Sequence, residues 1–208
     1  VLSKDVVRTI SYLFENFARS VGTSLSAFLR FIVEITLESV EQVEYSDLLS
    51  EMPYPTCITI VGMKPLDSSA ILELSLNFTF FAVDRLLGGS GEASVRPRAL
   101  TEIEQPIVDR LVLKILSSLE ETWAQVVAFD LSIDGRETNP QMAQIVSHNE
   151  RIMLMKLKIR SGTIDGYIRI GIPAMALEPL KDRLVAHQWM SNEDQEEDSV
   201  DYQQIRRH

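Results

Sequence analysis

One order of elements occurs twice along this chain of 208 residues, and that repetition limits its fold more than any single motif. Val6, Ile10, Leu13, Phe14, Phe17, Val21, Leu25, Phe28 and Leu29 recur at spacings of three and four behind a possible N-cap at Ser3, which predicts one long helix. The period then changes to two: Phe31, Val33, Ile35 and Leu37 alternate with Ile32, Glu34, Thr36 and Glu38, as in a strand with unlike faces. Two more strands are expected at Thr56–Val61 and Ala70–Asn77, then a short helix, Phe78–Leu87, stopped by Gly88. After a polar link from Glu92 to Ala99 the order restarts. Thr101 and Glu104 have capping-box spacing and open a second long helix whose stripe runs from Ile103 through Ile107, Leu111, Ile115, Leu119 and Trp123 to Val126. Pro106 falls slightly late for its first turn, so the start could lie further on. A strand at Phe129–Asp134, a hairpin of Arg151–Arg160 and Thr163–Ile172 around Ser161-Gly162, and a short helical segment at Pro173–Leu184 complete the second half.

Sliding one half along the other aligns the long helices, and FFAVDRLL with AMALEPLKDRL, at an offset of roughly 95 to 98 residues. That period is too long for a solenoid, and neither half has the mass to bury a comfortable core by itself. The expected fold is therefore α/β: a pseudo-twofold duplicated unit in which long and short helices cover one shared, largely antiparallel sheet. The domain is expected to span 1–188, with half-domains at about 1–91 and 99–188. Residues 189–208 are expected to be an acidic linker or a disordered tail.

Charge removes two partner classes. The net charge is -10, and residues 191–208 hold six acids against Arg206 and Arg207, which leaves the body acidic as well. Nucleic acid and anionic membrane surfaces are bound chiefly through Lys and Arg, so neither is expected as a partner. No apolar run reaches spanning length. The single cysteine, Cys57, can form no intrachain disulfide, which fits a reducing, cytoplasmic setting. The chain starts at Val1 without a leader pattern and reads as a piece of something longer.

Catalytic and metal constellations are not found. His148, His187 and His208 lie far apart without partners at ligand spacing, and read as solvated loop or tail residues. Cys57 sits in a β-branched stretch as a buried, inert thiol, and Met153 and Met155 read as core. No catalytic residue, metal or cofactor is expected. What remains is Gly88-Gly89-Ser90-Gly91. A phosphate loop or nucleophile elbow needs a strand feeding the turn, whereas here a helix precedes it. Gly88 can serve as a left-handed helix cap with the rest a flexible link. Three glycines in four residues exceed what a cap requires, and the alternative is a loop that presents its backbone to a partner.

The segments FARSVGTSLSAFLR, VEQVEYSDLLSEMPYPT, VDRLLGGSG, LTEIEQPIVDRL and LEETWAQV, in this order, resemble the middle domain of the flagellar motor switch FliM family. The resemblance runs from about Leu2 to about Leu184. It implies a pseudo-symmetric α/β unit related to CheC-type chemotaxis phosphatases, without enzymatic activity, in the cytoplasmic rotor ring at the inner-membrane face of the flagellar basal body. It implies docking of FliG at Gly88, Gly89, Ser90 and Gly91 and lateral contact with neighbouring FliM copies. Phosphorylated CheY and FliN are implied as partners mainly through regions outside this chain. The opposing reading is a CheC-type phosphatase of phosphorylated CheY, whose chemistry needs Glu-x-x-Asn on a long helix. No Glu in this chain has Asn three residues later, and Glu15 and Asn16 are adjacent, about 100° apart on a helix.

Overall fold

The computed structural model describes residues 1–92 and 95–191. The first half contributes α1 (Lys4–Leu29), β1 (Glu34–Glu44), α2 (Tyr45–Glu51), β2 (Cys57–Lys64), β3 (Ser69–Leu74) and α3 (Leu76–Leu86). The second contributes α4 (Glu104–Trp123), β4 (Asp130–Glu137), a 3-10 turn at Pro140–Met142, β5 (Arg151–Ser161), β6 (Ile164–Pro173) and α5 (Ala174–Leu177). A second 3-10 turn, Glu178–Leu180, leads into α6 (181–191). Ser3 accepts from Val6 N at the start of α1, and Thr101 and Glu104 close a reciprocal box before α4, Thr101 N donating to Glu104 Oε2 at 2.8 Å.

The six strands among the described residues form one sheet in the order β1-β5-β6-β3-β2-β4, and every pairing is antiparallel. Exchanging β1 with β4, β2 with β5 and β3 with β6 reverses that order and leaves it unchanged, so the pseudo-twofold axis passes between β3 and β6. The halves are interlocked at their edges as well. Outer strand β1 of the first half is bonded to β5 of the second, and β4 of the second to β2 of the first.

Alternation along the strands sends Met153, Met155, Leu157, Ile168, Ile170 and Leu72 to one face, where α1, α3 and α4 cover them. Ile58, Ile71, Ile152 and Leu154 point to the opposite face, which is covered by α2 and the segment around Ala143. Helix α2 was not expected from the sequence. Its apolar residues Tyr45, Leu48 and Leu49 fill less than two turns, too short for a periodic signal, and the helix is held by tertiary bonds. Tyr45 N donates to Glu150 O and Ser46 N to His148 O, both at 2.9 Å, and the Tyr45 hydroxyl donates to Ala143 O.

Several boundaries differ from the sequence expectation. Strand β1 begins at Glu34 rather than Phe31 and continues to Glu44, because β5 supplies partners along its length. Leu76 and Asn77, expected at the end of a strand, belong to α3, which starts once Ser75 O accepts from Thr79 N. Residues 189–191, placed in the acidic linker, continue α6, whereas residues 192–208 lie outside the described residues, as does His208. His187 is half-buried on α6 with Nε2 3.1 Å from Gln125 Oε1, instead of solvated; His148 is exposed as expected.

Because each half lends its outer strand to the other, fragments 1–92 and 95–208 should each be molten or insoluble alone and recover one cooperative transition when co-expressed. Circular dichroism melts of the separate fragments check this, and a sharp independent transition in either would contradict it.

Candidate functional site

The glycine run closes α3 in a Schellman arrangement. Gly89 N donates to Asp84 O at 2.8 Å and Gly88 N to Arg85 O at 3.1 Å, with Gly88 at φ 91°. Two further bonds fix the rest of the loop. Asp84 Oδ2 accepts from Gly91 N at 2.8 Å, and Arg85 Nη1 donates to Gly89 O at 2.8 Å. The segment is thus a pinned turn, not a flexible link.

Each glycine has a local reason to be there, a point that residue counting could not supply. Gly88 and Gly91 have positive φ, 91° and 83°. A Cβ on Gly89 would lie 2.3 Å from the Asp84 carboxylate oxygens, and one on Gly91 would lie 2.5 Å from the Phe81 ring. The glycine excess therefore no longer argues by itself for a partner. The outward surface of the loop consists of Leu87, Gly88 and Ser90, while Gly91 is buried and Gly89 half-buried. Asp84 and Arg85, which hold the loop, were missed as site residues, although the repeated pair Asp182-Arg183 marks them in the sequence.

The limb leaving the loop returns across α3. Arg98 lies over the Phe80 ring at 4.6 Å and grips Glu104 with Nη1 and Nη2, at 2.8 and 2.7 Å. The Arg98 hydrogen bonds, helped by those from Thr101, hold the Glu104 carboxyl down at about 2.

Elsewhere the chemistry is quiet. Burial pushes the Cys57 thiol up to about 11, far from a nucleophile. Met153 and Met155 are core residues. Among the described residues there is no group of three His, Cys, Asp or Glu side chains able to hold a metal, and no helix long and apolar enough to cross a membrane. An open groove of about 690 Å³ runs along the surface where α1 packs on α4, lined by Asn16, Arg19, Lys114 and Glu121 among others. Asn16 Oδ1 there accepts from Arg19.

A duplicated sheet with exchanged outer strands and a pinned glycine turn at one end defines a class of pseudo-twofold α/β units. Within it, the chain belongs to the flagellar motor switch FliM family: residues 3–189 match "Flagellar motor switch protein FliM". It is 40% identical over 190 residues to FliM of Borreliella burgdorferi, covering 91% of this chain and 54% of that protein. The chain spans about half the length of the curated relatives it matches. Among solved structures it is similar to the FliM middle domain of H. pylori, with TM-score 0.80, 30% identity and coverage of 88% and 99% of the two chains. It is also similar to a chain of the H. pylori FliG-FliM complex, with TM-score 0.83, 31% identity and coverage of 89% and 100%. A CheC-like protein from Shewanella at 11% identity, TM-score 0.51 and coverage of 82% and 98%, shares the fold alone.

Glu104 gives the site a pH signature. Its folded value lies below the usual carboxylate value of 4.5, so its stabilising contribution is present above that value and disappears as pH falls towards about 2. Glu104→Gln should melt lower than the parent near neutrality, with the gap closing as pH falls through that window in thermal melts.

Proposed function

We propose that this chain is a non-enzymatic structural and signalling unit of the flagellar motor switch, which docks FliG through the Gly88–Gly91 loop and assembles side by side with further FliM copies in the cytoplasmic rotor ring. The observation that carries the reading is the pinned, outward-facing turn at the end of α3, in a chain that aligns along 89% of its length with a FliM from a FliG-FliM complex. A turn already held by four hydrogen bonds loses little conformational entropy when a partner covers it. In that setting the unit passes direction changes from chemotaxis signalling to the rotor, with phosphorylated CheY and FliN engaged mainly by other parts of a longer protein.

Loop substitutions test this if they spare the fold. Gly89→Asp and Gly91→Asp are unsuitable, since the first displaces the Asp84 carboxylate and the second forces a side chain into φ 83° against Phe81; both should lower the thermal midpoint. Ser90 is exposed and has no positive φ. Ser90→Trp should weaken FliG binding at least tenfold, about 1.4 kcal/mol, with the midpoint unchanged. Parent-like affinity would move the interface elsewhere.

A phosphatase role is not favoured. Neither long helix carries the Glu-x-x-Asn pair, and Asn16 is engaged by Arg19. Substoichiometric amounts of this chain should leave the decay of phosphorylated CheY unchanged, and faster clearance would reinstate the enzyme reading.

A further inference from the structure

The guanidinium of Arg85 reaches beyond the glycine loop. Besides Gly89 O, it donates to the carboxyl end of α1: Nη2 to Arg30 O at 2.7 Å and Nε to Leu29 O at 3.2 Å. Its plane lies over the Phe31 ring at 5.2 Å, and Phe31 meets Phe81 edge-on at 5.3 Å, the same ring on which Gly91 rests. One side chain therefore ties the loop to the turn that follows α1.

That turn is as firmly held as the loop. Arg30 adopts the left-handed conformation at φ 50°, Val33 N donates to Ser26 Oγ at 2.9 Å, and Ile32 O accepts from Ser161 Oγ at 2.9 Å. Its backbone is anchored from behind, yet the Ile32 side chain is 74% exposed, and Leu87 across the Arg85 bridge is 68% exposed. Single exposed apolar residues are ordinary; here two of them stand on backbone segments tied together by one side chain, Arg85.

The second half isolates what the first has added. Arg183 Nη1 donates to Val126 O at 3.4 Å, just beyond the end of α4, a single long counterpart of the bonds Arg85 makes beyond α1. There the helix continues through Ala186 and His187, and no loop forms.

Resting on the reading that the loop docks FliG, we propose that the docking surface has two strips, the loop (Leu87, Gly88, Ser90) and the turn carrying Ile32, held in one frame by Arg85. It fits a FliG surface with apolar side chains able to cover Ile32 and Leu87 together. Arg85 is a positioning residue: each of its three side-chain nitrogens donates to a carbonyl of this chain.

The test is FliG titration of Ile32→Asp, Ser90→Trp, Arg85→Met, the double variant Ile32→Asp/Arg85→Met, and Met175→Asp, which puts a charge at a residue 71% exposed in the cavity lining around Gly62 and Asp134. Ile32→Asp should lose at least tenfold in affinity with an unchanged thermal midpoint, Met175→Asp should bind like the parent, and Ile32→Asp should cost less in the Arg85→Met background. If Ser90→Trp loses binding while Ile32→Asp does not, the loop acts alone and the two-strip surface is wrong. If both bind like the parent, the loop reading falls with it. Equal losses from Ile32→Asp and Met175→Asp, or strict additivity with Arg85→Met, would also overturn the proposal.

Discussion

The pairing of β3 with β6 is the contact on which everything else in this molecule depends, because it joins the two halves across their own symmetry axis. At the centre of the seam Glu73 stands opposite Arg169, and Glu73 is 0% exposed. Its carboxylate accepts from Arg169 Nη1 at 2.7 Å, from Thr56 Oγ1 at 2.7 Å and from the Tyr167 hydroxyl at 3.0 Å. Burial, reinforced by the Glu73 charge, pushes the Tyr167 hydroxyl up to about 12, so it remains a donor. A second acid, Glu51, approaches Arg169 and pairs with Lys156 at 2.8 Å. The two positions facing each other at the axis are counterparts in the duplication, and two identical charges there would repel. Glu on one strand and Arg on the other lock the register at that point. Removing one partner from such a buried pair typically costs about 3 to 5 kcal/mol, because the other charge is left uncompensated.

The duplicated architecture was legible because its signals are long. The apolar stripes of α1 and α4 and the capping residues Ser3 and Thr101 needed no tertiary information. The parts that escaped are those whose structure is set from outside. Helix α2 exists because carbonyls of Glu150 and His148 receive its first amides, and β1 runs on to Glu44 because β5 lies beside it. His187 looked like a tail residue until α6 placed it against Gln125.

The candidate site shows the same division. Four residues of the loop were visible as a glycine excess, and Gly88 as a cap was correctly anticipated. The surplus glycines, which left a flexible link and a partner-facing loop as alternatives, are explained locally, since Asp84 and Phe81 occupy the space their side chains would need. What distinguishes the loop is where it sits: in both halves an arginine after Asp reaches a carbonyl just beyond the end of the long helix, and only the first half interrupts the helix behind it. The proposed docking site lies where the duplication stops being symmetrical.

Backbone amide hydrogen exchange of the whole chain with and without FliG tests that account most directly. Slowed exchange concentrated at 86–92 and 30–33, at the end of the molecule where Arg85 joins the loop to α1, is the predicted result. Protection centred instead on the cavity formed by Gly62, Asp67, Asp134 and Glu150, with the loop exchanging as in the free chain, would contradict it.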